Sequence, residues 1–131
     1  MIKKFPIEPT YRKENGLWNL PIDSLPLPKE FVIYERNIVF IPLGEFGGNH
    51  KHPRSEAFVG IGENLYIIWQ NEEGKKQEDK MMDGKKLYLF VVEPFTPHVV
   101  VNHGNGFAIL VELADGPNVN VERAEVLANT D

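Results

Sequence analysis

Four residues of this chain have the types and spacing to hold a metal ion: His50, His52, Glu56 and His98. Imidazole nitrogen and carboxylate oxygen are ligands for first-row divalent metals. His50 and His52 stand at i and i+2, which on an extended strand face the same side, so both rings can enter one cavity. Glu56 follows beyond Pro53, where the chain can turn into a new strand. His98 comes much later, behind Glu93-Pro94-Phe95-Thr96-Pro97, and opens a strand that carries Val100 and Asn102 on the same face. An antiparallel barrel can bring these strands together. A lone histidine on an apolar strand is ordinarily hydrogen-bonded to backbone. Convergent donors of this kind point instead to a metal. The remaining histidine, His103, is five residues past His98, so strand parity turns it to the opposite face and it reads as a surface turn residue.

The elements that must position these groups read as strand after strand. Residues 31–43, 56–61, 65–70, 87–92, 99–102 and 107–113 are rich in Val, Ile, Leu, Tyr and Phe and are punctuated by turn residues. Asn71-Glu72-Glu73-Gly74 signals a hairpin whose return strand is 75–82, closed by Asp83-Gly84, and the charged run 72–80 reads as its solvated part. The last strand alternates Phe107, Ile109, Val111 and Leu113 against Ala108, Leu110 and Glu112. The one fair helical candidate is the tail at 121–128. Residues 1–30 contain Pro6, Pro9, Pro21, Pro26 and Pro28 and read as an extended arm with short edge strands near Leu17–Leu20. The arm's Phe5, Trp18 and Leu20 are suited to packing on the barrel or on a partner subunit. Many short strands with turn-punctuated spacing predict an all-β sandwich or barrel over 31–131, a single domain in all.

Composition narrows the function classes. At 131 residues, 42% hydrophobic and 25% charged, the chain suits one soluble domain. It has no cysteine, so disulfides and thiolate zinc sites are excluded and any metal falls to His, Asp, Glu or backbone oxygen. A formal net charge of -5 disfavours nucleic-acid and anionic-membrane partners. No apolar run reaches the ~20 residues of a membrane span. No signal peptide is evident behind Met1-Ile2-Lys3-Lys4, which leads to a cytoplasmic expectation.

Around the donors, alternation puts Phe46 and Gly48 on the face of His50, and Phe58 on that of Glu56, as pocket-lining residues. Gly47-Gly48 serve either close approach of backbone to a ligand or a β-bulge. Asn102 shares the face of His98 and could line the pocket or satisfy a turn. Arg54 reads as a solvated loop charge that could reach an anionic substrate. Glu45 and Tyr66 are candidate general bases.

The chain resembles the cupin superfamily, whose first motif runs Gly, five residues, His-x-His, three or four residues, Glu, six residues, Gly. Here Gly44 precedes His50-Lys51-His52 and Glu56 at that spacing, and Gly62 comes one residue early. The second motif is matched by Pro94, His98 and Asn102, without its central glycine and with the proline one residue nearer. The resemblance implies a small double-stranded β-helix, or jelly-roll, barrel. It also implies that His50, His52, Glu56 and His98 ligate one divalent transition metal: Fe, Mn, Ni, Zn or Cu. Four protein ligands on an octahedral ion would leave two positions for water or substrate. Asn49-His50-Lys51-His52 after two glycines is similar to a form found in cupins of polysaccharide assembly. The functions implied are a metal-dependent isomerase or epimerase of a small carbohydrate, an Fe(II)-dependent dioxygenase using the same ligands, or a non-catalytic small-molecule binder. A homodimer, with the arm on a neighbour's sheet edge, is the implied assembly.

Overall fold

The computed structural model describes residues 1–127. Its thirteen strands are β1 (Ile2–Ile7), β2 (Tyr11–Arg12), β3 (Trp18–Asn19), β4 (Glu35–Ile41), β5 (Phe46–Lys51), β6 (Glu56–Ile61), β7 (Leu65–Gln70), β8 (Lys76–Lys80), β9 (Met82–Asp83), β10 (Lys86–Val92), β11 (His98–Asn102), β12 (Ala108–Ala114) and β13 (Glu122–Arg123), with one 3-10 turn at Ile22–Ser24. One sheet has the order β1-β10-β6-β12-β4, with β9 also on β10; the other has the order β13-β5-β11-β7-β8; β2 and β3 form a small ribbon. The pairings are antiparallel and the architecture is that of a jelly-roll barrel.

Period-2 alternation explains the layers. Phe58, Ile67, Trp69, Phe90, Val92, Val100 and Leu110 point between the two sheets and form the barrel core. Their neighbours Ala57, Val59, Leu87, Leu89, Val91 and Leu113 point outward and are covered by Trp18, Leu20, Leu25, Leu27 and Phe31. Thus the proline-rich segment lies on this chain's own larger sheet, and its first residues pair along β10 from Ile2↔Val92 to Ile7↔Leu87. On the other sheet, Ile68, Val99 and Val101 are covered by Val126 and Leu127.

Three element boundaries depart from expectation. The strand predicted at 31–43 is confined to β4, because Phe31 and Ile33 leave the ladder to pack on the outer cluster and Pro42 ends it. The return strand at 75–82 divides at the fully buried Met81, with β8 staying on β7 and β9 crossing to β10. The tail forms no helix over 121–127; it adds β13 to the edge of β5, and Ala128 lies outside the described residues. Among the described residues, no helix is long and apolar enough to cross a membrane.

The barrel interior is apolar at one end and polar at the other. Cross-strand rungs make this so: Glu56 stands beside Ala114, which stands beside Glu35, and Phe58 beside Glu112, which stands beside Asn37. Residues in register on neighbouring strands share a face. The polar end therefore gathers groups from β4, β6 and β12, and the β5–β11 pair faces it.

Candidate metal centre

The four predicted donors come together at the polar end. Glu56 and His98 each open a strand, His50 lies near the end of β5, and His52 is one residue beyond it. His50 pairs with His98 across β5 and β11. The ring centroids are 4.5 Å apart for His50 and His52, 5.5 Å for His50 and His98, and 5.3 Å for His52 and His98. A nitrogen from each of the three lies within 4.8 Å of the others, so the trio could hold a metal ion. Glu56 Oε1 sits 2.8 Å from His52 Nε2 and 3.2 Å from His98 Nε2.

These groups fit a cation better than they fit one another. His52 Nδ1, His52 Nε2 and Glu56 Oε1 are buried and have no aligned hydrogen-bond partner. Buried polar atoms are nearly always satisfied, so convergent orphans mark a place for something else. His98 Nδ1 is 2.8 Å from the Thr96 carbonyl oxygen. A carbonyl only accepts, so Nδ1–H donates to it and Nε2 is the nitrogen turned to the cluster. The His50 imidazole is lowered to about 4, first by burial and then by the positive character of His52 and His98, so at neutral pH it offers a free lone pair. Burial alone would raise the Glu56 carboxyl, but the two imidazoles beside it outweigh burial and hold it well below the usual carboxylate range. Glu56 is thus an anion facing nitrogen donors, the charge state a divalent ion requires.

Local backbone geometry sets the donors' directions. The β5–β11 register slips between His98 and Val99: His98 opposes His50, while Val99 opposes Gly48, leaving Asn49 as an extra residue. This is a β-bulge. Gly48 has φ +107°, and a Cβ there would stand 3.1 Å from the His98 carbonyl oxygen and 3.2 Å from Val99 Cα. Asn49, at φ 68°, is buried and binds the tail through Leu127 N–H to Oδ1 at 2.9 Å. Gly48 is thereby assigned to the bulge, while Gly47 keeps register with Val100.

The bulge also corrects the expected alternation. Phe46 and Gly48 stand opposite Val101 and Val99, the outward residues of β11, while His50 alone keeps register with His98. Phe46 and Gly48 still border a cleft of about 440 Å³, with Asn49, His50, Val121 and Arg123. Phe58 is buried, its ring 5.7 Å from that of His98.

Asn102 does not line that cleft. Its Nδ2 donates to the carbonyls of Ile41, Pro42 and Gly106 at 3.0, 3.3 and 2.8 Å, and its Oδ1 accepts from Gly104 N–H at 2.9 Å. It clamps two turns. Glu45 is exposed, and Tyr66 lies against His103 on the outer face, so neither expected base reaches the donors.

Arg54 is the largest departure. Instead of a solvated charge it is a buried cation whose Nη2 and Nε lie 2.8 and 3.2 Å from Glu56 Oε2. Its Nη1 donates to Glu35 Oε2 at 3.3 Å and to the Gly116 carbonyl at 3.1 Å. Glu112 Oε1 is 3.6 Å from Nη2, and Asn37 donates to both Glu35 and Glu112. Burial and the Glu56 charge raise the Glu112 carboxyl. These partners lie on distant strands, and only the lone arginine between the motif donors hinted at them.

No protein-family model and no curated protein matches the chain. Solved structures do. A dTDP sugar isomerase from Desulfovibrio desulfuricans G20 superposes with TM-score 0.68 at 14% identity, covering 98% of this chain and 85% of that one. A point mutant of the 3,4-ketoisomerase QdtA from Thermoanaerobacterium thermosaccharolyticum, in complex with TDP-4-keto-6-deoxyglucose, gives TM-score 0.65 at 14% identity over 93% and 86%. The capsular polysaccharide assembling protein CapF from Staphylococcus aureus gives TM-score 0.60 at 18% identity over 69% of this chain, which spans 26% of CapF. Oxalate oxidase in complex with glycolate is a further match, with TM-score 0.55 at 19% identity over 66% and 43%. All are cupin-fold proteins, and the chain has the cupin fold.

Proposed function

We propose that this chain is a divalent-metal cupin in which His50, His52, His98 and Glu56 Oε1 hold the ion, and that it acts on a small carbohydrate or sugar derivative. The observation that carries the metal is the convergence of buried, unpartnered His52 and Glu56 atoms on the nitrogens of His50 and His98. The carbohydrate class is supported by the two sugar isomerases that match nearly the whole chain. Such an ion polarises a carbonyl or hydroxyl oxygen and lowers the pKa of a bound water. The chain's own contribution is to orient His98 through Thr96, to keep His50 neutral, and to open the His50 side to the cleft. Protein purified without chelator is expected to carry one divalent transition metal by mass spectrometry of the elements. His52→Ala should abolish it, and stoichiometric metal in that variant would refute the assignment. Incubation with aldoses, ketoses and keto-sugar nucleotides in D2O, followed by NMR, should show exchange at the carbon next to the carbonyl.

One observation favours a second reading. Among the described residues, His50 and Arg123 are the titratable side chains that line the cleft, and neither Glu45 nor Tyr66 enters it. An isomerase needs a proton carrier, whereas an Fe(II)-dependent oxygenase can leave the hard chemistry to the metal. Substrate-dependent oxygen uptake without deuterium exchange would select that reading. A ligand-induced thermal shift with neither activity would select a binding protein.

We propose also that a second copy of the chain covers the outer side of β4. Among the described residues no strand pairs with its outer edge, and Tyr34, Ile38, Phe40 and Phe107 are exposed beside it, Phe40 and Phe107 stacked with centroids 5.0 Å apart. These side chains expose on the order of 500 Å², to which edge-strand hydrogen bonds would add, against the ~800 Å² per partner of a standard interface. Light scattering should give a dimer that Phe40→Glu converts to monomer; a wild-type monomer at all concentrations would overturn it.

A further inference from the structure

We infer that Arg54 is a positioning residue for the metal centre: by taking Glu56 Oε2, it leaves Oε1 as the one carboxylate oxygen available to the ion. This rests on the metal reading above and concerns how the metal is held.

A carboxylate beside a divalent ion has two modes, one oxygen or both. Here the two oxygens have different surroundings. Oε1 faces the imidazoles of His52 and His98. Oε2 accepts from both Nε and Nη2 of a guanidinium that is itself buried. Charge-assisted contacts of this kind are strong and directional, because the guanidinium is planar and its donors are fixed in a fork.

Arg54 cannot readily swing away, since its other donors are engaged. Nη1 is held by Glu35 from β4 and by the Gly116 carbonyl just past β12, and Glu112 of β12 lies against Nη2. Asn37 ties those two carboxylates together. The guanidinium is therefore fixed by elements outside the donor set, and it transmits their position to Glu56. Glu35, Asn37, Arg54 and Glu112 form a bracket behind the ligand.

The chemical consequence is an open coordination shell. Three imidazoles and a single carboxylate oxygen leave two sites of an octahedral ion for exchangeable ligands. If Glu56 chelated with both oxygens, one of these sites would close. Arg54 would thus keep two sites available for water or substrate oxygens.

The test uses Mn2+ as probe and reads the relaxation of water protons, which reports exchangeable water on the bound ion. Wild-type protein should bind Mn2+ and show the relaxivity of a two-water site. Arg54→Met should bind Mn2+ with relaxivity cut to about half, as Oε2 displaces one of two waters. Arg54→Lys, which restores a cation near Oε2, should recover most of the loss. Because Arg54→Met strands buried carboxylates, Arg54→Met combined with Glu112→Gln restores the charge balance and should show the same halving. Unchanged relaxivity per bound Mn2+ in either folded methionine variant would overturn the inference. On the unmodified protein, the infrared difference between Mn2+-loaded and metal-free samples should show the wide carboxylate splitting of one-oxygen binding. A narrow splitting would overturn it whatever the variants do. Wild-type protein that binds no Mn2+ would instead sink the metal reading itself.

Discussion

Asn102→Ala should destabilise the fold by about 2–4 kcal/mol without changing metal affinity per folded molecule. The side chain makes four contacts, all with backbone. Two donations are well formed, to Gly106 at 2.8 Å and Ile41 at 3.0 Å; the third, to Pro42 at 3.3 Å, shares a hydrogen with one of them; and Oδ1 takes Gly104 N–H at 2.9 Å. Three effective bonds at about 1 kcal/mol each give about 3 kcal/mol. Partial rehydration at the exposed Pro42 and Gly106 lowers that figure, while the buried Gly104 N–H raises it. For a domain of this size the loss corresponds to a melting point about 10 °C lower. Urea unfolding followed by circular dichroism should show a lower midpoint with unchanged slope. Asn102→Asp should be worse than alanine, because it turns a carboxylate oxygen toward the three carbonyls. A midpoint within about 0.5 kcal/mol of wild type would refute the clamp. So would a variant of wild-type stability that binds metal weakly, since that would return Asn102 to the site.

Gly48→Ala should cost about 2–4 kcal/mol, because it adds a Cβ at φ +107° and within 3.1 Å of backbone, and it should weaken metal binding by displacing His98; wild-type affinity on titration would count against the bulge as the device that aims that ring. The metal-free protein should lose stability as pH falls from about 6.5 to about 4: the unfolded chain protonates His50 at the ordinary value while the fold holds it neutral, so the unfolded state binds more protons across that window. Urea midpoints of chelator-treated protein measure this, and His50→Gln should flatten that part of the profile. Glu56→Gln should cost roughly 3–5 kcal/mol in the metal-free protein by leaving buried Arg54 without its closest partner, and a change below about 1 kcal/mol in the urea midpoint would show that the pair is solvated.

Much of this was legible in the sequence where the signal is local. The i, i+2 histidines, the turn residues and the alternating apolar strands each report their structure within a few positions, and the layered barrel follows. The cupin resemblance brought His98 to the same place across a gap that no local period spans. What escaped was non-local or broke the period. A bulge at Gly48–Asn49 moved Phe46 and Gly48 out of the register that parity assigned them, although the adjacent glycines offered bulge as one of two readings. Arg54 looked solvated because its partners Glu35 and Glu112 lie on β4 and β12, outside its own stretch of chain, joined to it only by the β4–β12–β6 rungs. Asn102 had the right face, but its acceptors lie in two turns whose proximity is a property of the closed barrel. The tail's strand depends on Asn49 and Val126 rather than on any helical or strand period of its own.

The rungs that build the centre also set its timing during folding. Ile2 pairs with Val92, Glu35 with Ala114, and His50 with His98. Each closes a long loop before it is rewarded, the situation in which chains fold slowly. An isolated segment 50–56 would carry three of the donors, yet it would lack the β11 strand that supplies His98 and the bulge partner. A high-affinity site therefore exists only after β5 has met β11. In a refolding experiment, uptake of a coloured or paramagnetic ion should lag behind the recovery of β-sheet signal and coincide with final closure. The same ion, once captured, would slow unfolding by holding that last pairing shut.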